Sequence, residues 1–273
     1  MKVWLDGRLV DADDARVSVF DHGLTVGDGV FETAKVVDGR PFALSRHLRR
    51  LSRSAAGLAL PEPDLDQVRD AVEQTLAAND VSAPMRLRVT LTGGPAPLGS
   101  ERGGTAPTLV VALAPMRPWA PTAALATVPW PRNERGATAG IKTTSYAENV
   151  VALIEAHRLG ADEALLLNTR GEVCEGTGSN VFLVIDDTLV TPSLSSGCLA
   201  GVTRELVLEW FAVEQRDLPA SALEAATEVL LTSSTRDVQP VHGVDGRSYV
   251  APGPVTEKLL ATWADRAAAD IDP

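Results

Sequence analysis

Two cysteines, Cys174 and Cys198, are all that this 273-residue chain carries. They lack the spacing of a metal site, and so few in a chain of this length exclude a secreted disulfide scaffold. A reducing, cytoplasmic setting is the expectation. Basic charge is also scarce: 25 Lys and Arg stand against 36 Asp and Glu, a net charge of −11 at pH 7. That balance argues against a sequence-independent grip on nucleic acid or on an anionic membrane, and favours a small-molecule substrate. No apolar run reads as a membrane span or a signal peptide, and no internal repeat or tag is evident. A dinucleotide loop is missing too. Gly176-Thr177-Gly178 has Val181 where the third glycine should stand, and the run continues into a strand rather than a helix.

What is present is a mixture of strands and helices with 45% hydrophobic content, enough for one large core or two modest ones. The fold class expected is α/β, of the α+β kind, in two domains. Asp-Gly turns follow Leu5 and Val37 and mark hairpins. Apolar residues at Leu44, Leu48, Leu51 and Ala55, and at Leu65, Val68, Val72 and Leu76, predict two helices. Strands at 87–91 and 109–113 complete a smaller N-terminal domain over 1–117. Five prolines from Pro115 to Pro131 predict a linker over 118–135. A larger C-terminal domain, 136–273, follows. Its predicted helices are one carrying Val150, Val151, Ile154 and Arg158, a short one at 203–210 and a closing one at 254–268. Its predicted strands are 163–167, 180–185, 188–191 and 228–232.

Chemistry concentrates in two segments. Lys142 sits in Gly140-Ile141-Lys142-Thr143-Thr144 without a carboxylate close by in sequence, so its amine can be desolvated and attack an aldehyde. Glu175 precedes a turn rich in small and polar residues, Gly176-Thr177-Gly178-Ser179-Asn180, where backbone can approach a ligand closely. An imine-forming lysine and a carboxylate for the far end of a pyridine ring are what a pyridoxal phosphate site requires. Phosphate donors are offered by the helix start Gly201-Val202-Thr203-Arg204 and by the hydroxyl-rich turn Thr232-Ser233-Ser234-Thr235. Arg50 can add a permanent charge.

These segments resemble the signatures of the fold-type IV pyridoxal phosphate enzymes, the class IV aminotransferase family. Val26-Gly27-Asp28-Gly29-Val30-Phe31-Glu32-Thr33 is similar to its N-terminal signature, His47 to Arg50 to its His-x-x-Arg, and Gly140 to Lys142 to its lysine region. Glu175 to Asn180 and Gly201 to Arg204 match two further motifs. The resemblance implies two α/β domains with pyridoxal 5'-phosphate in the cleft between them, and a homodimer. It implies Lys142 as the catalytic lysine and Glu175 as the partner of the ring nitrogen. Arg50, Val202, Thr203, Ser233 and Ser234 would hold the phosphate, with Ser179 and Asn180 in the cofactor site. Leu199 would pack on the ring and Tyr146 would reach its hydroxyl.

The reaction is read from departures. The Arg-x-His pair of D-amino acid aminotransferases is absent from Thr92 to Gly99, and Phe31 stands where those enzymes have a pocket tyrosine. The Gly-Gly-Asn-Tyr of branched-chain enzymes is absent as well. The start of the chain and the pair Arg132-Asn133 look closest to 4-amino-4-deoxychorismate lyase, which releases pyruvate and the folate precursor 4-aminobenzoate. That lyase is the expected activity. The alternative is a transaminase acting on D-amino acids, (R)-amines or branched-chain amino acids, and a non-catalytic cofactor-binding protein is a further one. Phe31 and Arg132 are the expected substrate-binding residues. Arg132 is preferred over Arg88 and Arg102 for the substrate carboxylate because it alone fits the lyase-like pair.

Overall fold

Alternating burial builds the first sheet of the computed structural model, which describes residues 1–273. Its strands are β1 (Lys2–Leu5), β2 (Arg8–Asp11), β3 (Gly29–Val37), β4 (Arg40–Pro41), β5 (Met85–Thr92) and β6 (Leu109–Pro115), all antiparallel in the order β2-β1-β6-β5-β3-β4. On β5, Met85, Leu87 and Val89 face the core while Arg86 and Arg88 face outward. The two Asp-Gly turns are the tight hairpins expected: Asp6 and Gly7, and Asp38 and Gly39, all have positive φ, the conformation that matches strand twist.

One face of this sheet is covered by helices α2 (Leu44–Gly57) and α3 (Leu65–Ala77); a single turn of helix, α1 (His22–Thr25), precedes β3. Leu44, Leu48, Leu51 and Ala55 lie on one side of α2 and pack with Val68, Ala71 and Val72 of α3 against Trp4, Val30, Ala34, Val36, Leu87 and Val111. Asp64 caps α3, its carboxylate accepting the N–H groups of Asp66 and Gln67. This unit comprises Met1–Arg117 together with Ile141–Tyr146 and Ile271–Pro273.

The second unit, Pro118–Gly140 and Ala147–Asp270, has its own nine-stranded sheet. Its elements are β7 (Ala123–Thr127), α4 (Ala147–Arg158), β8 (Glu163–Leu167), β9 (Val173–Gly176), β10 (Asn180–Ile185), β11 (Thr188–Pro192), α5 (Val202–Trp210), β12 (Glu214–Arg216), α6 (Ala222–Ala225), β13 (Glu228–Ser233), β14 (Asp237–Val244), β15 (Arg247–Ser248) and α7 (Pro254–Ala269). The strand order is β12-β11-β10-β13-β14-β7-β8-β9, with β15 beside β14. β10 is buried almost throughout and its Val181 and Leu183 centre the core with Leu165, Val229 and Leu231. On α4, Ala152 and Ala156 are small enough to let the helix settle on Ala126, Ala164 and Leu166. No helix of the chain is long and apolar enough to cross a membrane.

The stretch 118–135 differs from the linker expected. It contributes β7, which pairs in parallel with both β8 and β14. Pro121 and Pro129 lie outside the strand, where a missing N–H costs no ladder bond. Residues 141–146, expected in the second domain, group with the first unit.

Candidate active site

The start of β3 must admit another segment. Gly27 has φ +68°, and a Cβ at Gly29 would lie 2.9 Å from the Leu91 carbonyl oxygen and 3.0 Å from Thr144 Oγ1. Glycine there lets residues 142–145 lie alongside. Phe31 N–H donates to the Lys142 carbonyl at 3.1 Å, Thr144 N–H to Gly29 at 2.8 Å, and the Thr144 and Ser145 hydroxyls to Gly27 at 2.9 Å each. Lys142 N–H points to Ser54 Oγ on α2 at 3.4 Å. The lysine backbone is thus fixed by strand, turn and helix, and only its side chain is left to move.

Lys142 Nζ lies 4.3 Å from the centroid of Phe31 and 5.8 Å from that of Tyr146. These two rings meet edge to face, 5.1 Å apart at 73°. Arg88 brings its guanidinium carbon to 3.7 Å from the Phe31 centroid. Amine, two aromatic rings and a second cation are therefore gathered on one side of the first unit.

Behind them is a buried charge cluster. Arg50 donates Nε to Glu32 Oε1 at 2.8 Å and Nη2 to Glu32 Oε2 at 2.6 Å, and His47 Nδ1 lies 2.6 Å from Oε2. Burial would raise the Glu32 pKa, but Arg50 and His47 bring it down to about 2. Burial lowers that of His47, with Arg50 and Lys142 acting in the same direction against Glu32. Arg50 was expected at a phosphate. What the geometry shows of it is a two-pronged pair with Glu32, which fixes the plane of the guanidinium. Asp28 in turn holds Arg102 through bonds of 2.6 and 2.7 Å, and Arg102 also donates to the carbonyls of Leu58 and Ala59.

In the second unit, Glu175 and Asn180 face each other across β9 and β10, so the turn between them is closed by the sheet itself. Gly176 N–H donates to the Ser179 carbonyl at 2.8 Å. Thr177 is anchored through its N–H, 3.0 Å from Glu163 Oε1, through its hydroxyl to the same carboxylate, and through its carbonyl to Asn149 Nδ2. Glu163 is neutralised by Arg236 at 2.9 Å, whose guanidinium stacks on Trp119. The Glu175 carboxylate is buried and held at both oxygens. Leu199 N–H donates to Oε2 at 2.9 Å, and Arg132 Nε stands 3.2 Å from Oε1. The Arg132 N–H is out of line for a hydrogen bond, so this contact is coulombic. Arg132 Nη1 donates to Asn149 at 3.2 Å.

Arg132 was expected at the substrate carboxylate; what the geometry shows of it is Nε facing the Glu175 carboxylate and Nη1 donating to Asn149. Glu175 is remote from it in sequence, which is why the pattern of residues did not reveal the pair. Glu32 and Glu163 were overlooked for a related reason: each lies on a strand otherwise buried, and an unexplained carboxylate at an inward position is the signal that could have found them.

Pyridoxal phosphate fits the donors and acceptors of this unit. α5 begins at Gly201 with no side-chain cap, leaving the N–H groups of its first turn, Val202 and Thr203 among them, for an anion. A Cβ on Gly201 would collide with Asn180 Oδ1, so nothing larger fits that approach. Asn180 Nδ2 donates to the Leu199 carbonyl at 2.8 Å and holds the loop ahead of the helix. The Ser179 and Thr232 hydroxyls are buried without a hydrogen-bond partner, which marks places for a polar ligand. Ser233 ends β13, its Oγ accepting the Arg236 N–H at 3.2 Å, and Ser234 follows in the turn. Anion donors, unused hydroxyls and a fixed carboxylate are the polar set that a phosphorylated pyridine needs.

Fold and residues together define a pyridoxal phosphate enzyme of fold type IV. The chain belongs to the family described as Amino-transferase class IV, whose model matches residues 29–244. A protein of Methanocaldococcus jannaschii with a provisional branched-chain-amino-acid aminotransferase name is 36% identical over 281 residues, covering 97% of this chain and 96% of the relative. The D-alanine aminotransferase of Listeria monocytogenes is 30% identical, covering 95% and 93%. Among solved structures, the branched-chain aminotransferase of Thermoproteus uzoniensis superposes with a TM-score of 0.90 at 31% identity, covering 97% of this chain and 93% of that one.

Proposed function

We propose that the chain is a transaminase that moves an amino group between an amino acid and a 2-oxo acid. The observation that carries this reading is that relatives matched over nearly the whole chain carry aminotransferase names of both the branched-chain and the D-alanine kind. A related aminotransferase from Mycobacterium tuberculosis, 30% identical, is described with α-ketoglutarate and the amino form of the cofactor bound, which supports a 2-oxo acid as acceptor. The lyase activity is retained only as the reading to be tested against this one.

When bound, pyridoxal phosphate supplies an aldehyde for the substrate amine and a ring that spreads the electron pair left at the substrate α-carbon. Lys142 Nζ takes the proton from that carbon and returns it. Its aromatic neighbours, Phe31 and Tyr146, bear on the amine with their π-faces. Glu175, oriented by the Leu199 N–H and faced by Arg132, would accept a hydrogen bond from the ring nitrogen. Val202, Thr203, Ser233 and Ser234 would hold the phosphate, and the family resemblance adds Arg50 to that set. Ser179 and Asn180 would order the loops on either side, Leu199 would pack on the ring and Tyr146 would reach its hydroxyl. A homodimer and a cytoplasmic setting belong to the same proposal. The exposed face of α4 at Val150, Val151 and Ile154 supports the first, and the free cysteines Cys174 and Cys198 accord with the second.

The test is a matched panel. The reconstituted protein is given L- and D-amino acids with 2-oxoglutarate, and separately 4-amino-4-deoxychorismate. New 2-oxo acid formed in step with glutamate supports transamination. Formation of 4-aminobenzoate and pyruvate without an acceptor overturns it.

A further inference from the structure

The loop between β5 and β6 sends Arg102 back toward the elements that hold Lys142. The base of the loop is fixed: Thr92 N–H donates to the Thr108 carbonyl at 3.0 Å, and the hydroxyls of Thr92 and Thr108 donate to the buried Asp21 carboxylate at 3.0 and 2.7 Å. From Pro97 to Ala106 the loop is exposed. Arg102 turns inward from it and uses two edges of its guanidinium. Nε and Nη2 grip the Asp28 carboxylate at 2.7 and 2.6 Å, while Nη1 and Nη2 donate to the carbonyls of Ala59 and Leu58 at 2.6 and 2.7 Å. Those carbonyls follow the end of α2, which has no basic residue in its own last turn. Arg102 thus supplies from outside the cation that a helix C-terminus favours.

The elements that Arg102 joins are those that hold Lys142. Asp28 lies between Gly27, whose carbonyl accepts the Thr144 and Ser145 hydroxyls, and Gly29, whose carbonyl accepts the Thr144 N–H. The end of α2 carries Ser54, whose Oγ is 3.4 Å from the Lys142 backbone nitrogen, and Gly57, where a Cβ would lie 2.7 Å from Ile141 Cδ1. We infer that Arg102 is a positioning residue for Lys142: it clamps the Gly27–Gly29 turn to the end of α2 and so fixes the backbone from which the amine is presented. A planar fork with donors along both edges suits this bridge, and an ammonium on a flexible stem does not. A misplacement of about 1 Å at a reacting group can cost about 100-fold in rate, so a clamp outside the site still bears on the chemistry. That consequence rests on the role given to Lys142 in the proposed reaction, whereas the holding of residues 141–145 does not.

The test is hydrogen exchange on the holoenzyme of wild type, Arg102→Gln and Arg102→Lys, read at the amides of Phe31 and Thr144. These donate to the carbonyls of Lys142 and Gly29, so their exchange reports opening of this segment whether or not the protein turns over. Arg102 keeps 34% of its side-chain surface, which places its bonds at the low end of what hydrogen bonds to a charged group contribute. Exchange at both amides is therefore expected to be about 10-fold faster in Arg102→Gln, with partial recovery in Arg102→Lys. The β1–β2 hairpin, at the sheet edge away from β3, should keep its wild-type rates. In turnover kcat should fall with KM unchanged, because the clamp acts on the amine that moves the proton. Unchanged exchange at Phe31 and Thr144 in Arg102→Gln overturns the assignment. A general acceleration that includes the β1–β2 hairpin also overturns it, since Arg102 would then support the whole unit. Acceleration confined to the two amides and partly reversed by lysine upholds the clamp. If that same protein exchanges no amino group with any amino acid, the transaminase reading fails separately.

Discussion

Replacing Arg132 by glutamine tests how the buried carboxylate is kept in its working state. Nε stands 3.2 Å from Glu175 Oε1, and the side chains retain only 17% and 12% of their accessible surface. At an effective dielectric of about 20, charges at this separation attract by about 5 kcal/mol. Desolvation offsets part of that, and truncating one partner of a buried pair typically costs about 3–5 kcal/mol. Because both groups keep some contact with solvent, about 3 kcal/mol is the expectation, or roughly 100-fold in an equilibrium constant. Arg132→Gln is accordingly predicted to bind pyridoxal phosphate about 100-fold more weakly, measured by titrating apoprotein and following absorbance. Arg132→Lys recovers much of the affinity. A substrate-binding arginine gives a different result: KM for carboxylate substrates rises while cofactor affinity stays put. That outcome would refute the argument.

Other expectations concern the scaffold. Glu32 has a folded pKa of about 2 against 4.5, so its contribution is complete above pH 4.5 and is lost as pH falls toward 2. The full shift corresponds to about 3 kcal/mol, of which about 1 is lost by pH 4 and about 2 by pH 3, and a denaturant series at pH 7, 4 and 3 should show that much less stability lost on acidification in Glu32→Gln than in wild type. His47 acts in the same sense, since below its ordinary range the unfolded chain takes up a proton that the buried ring refuses. Gly201→Ala forces a methyl group against Asn180 and should cost about 1–3 kcal/mol in denaturant unfolding. An unaffected variant would show that the loop before α5 yields freely.

Local signals carried far in this chain. The Asp-Gly hairpins, the leucine stripe of α2 and the apolar run of β10 report their own structure because turn chemistry and burial act over a few residues. The motifs around Lys142, Glu175 and Gly201 were legible for the same reason: each needs small or polar residues at adjacent positions. Partners distant in sequence were hidden. Nothing near Arg132 announces Glu175, and nothing near Glu32 announces that Arg50 will reach it from the next helix. β7 was obscured by its flanking prolines, and β14 by Pro240, which occupies a position in the ladder opposite Leu230.

The central claim is best tested by the absorbance spectrum of the purified holoenzyme during a half-reaction. The account predicts a band above 400 nm, by general cofactor spectroscopy, that is absent from Lys142→Ala. An amino acid added alone should bleach it, and a 2-oxo acid should restore it. A band that no amino acid bleaches, in a protein that converts 4-amino-4-deoxychorismate to 4-aminobenzoate and pyruvate, would contradict the account.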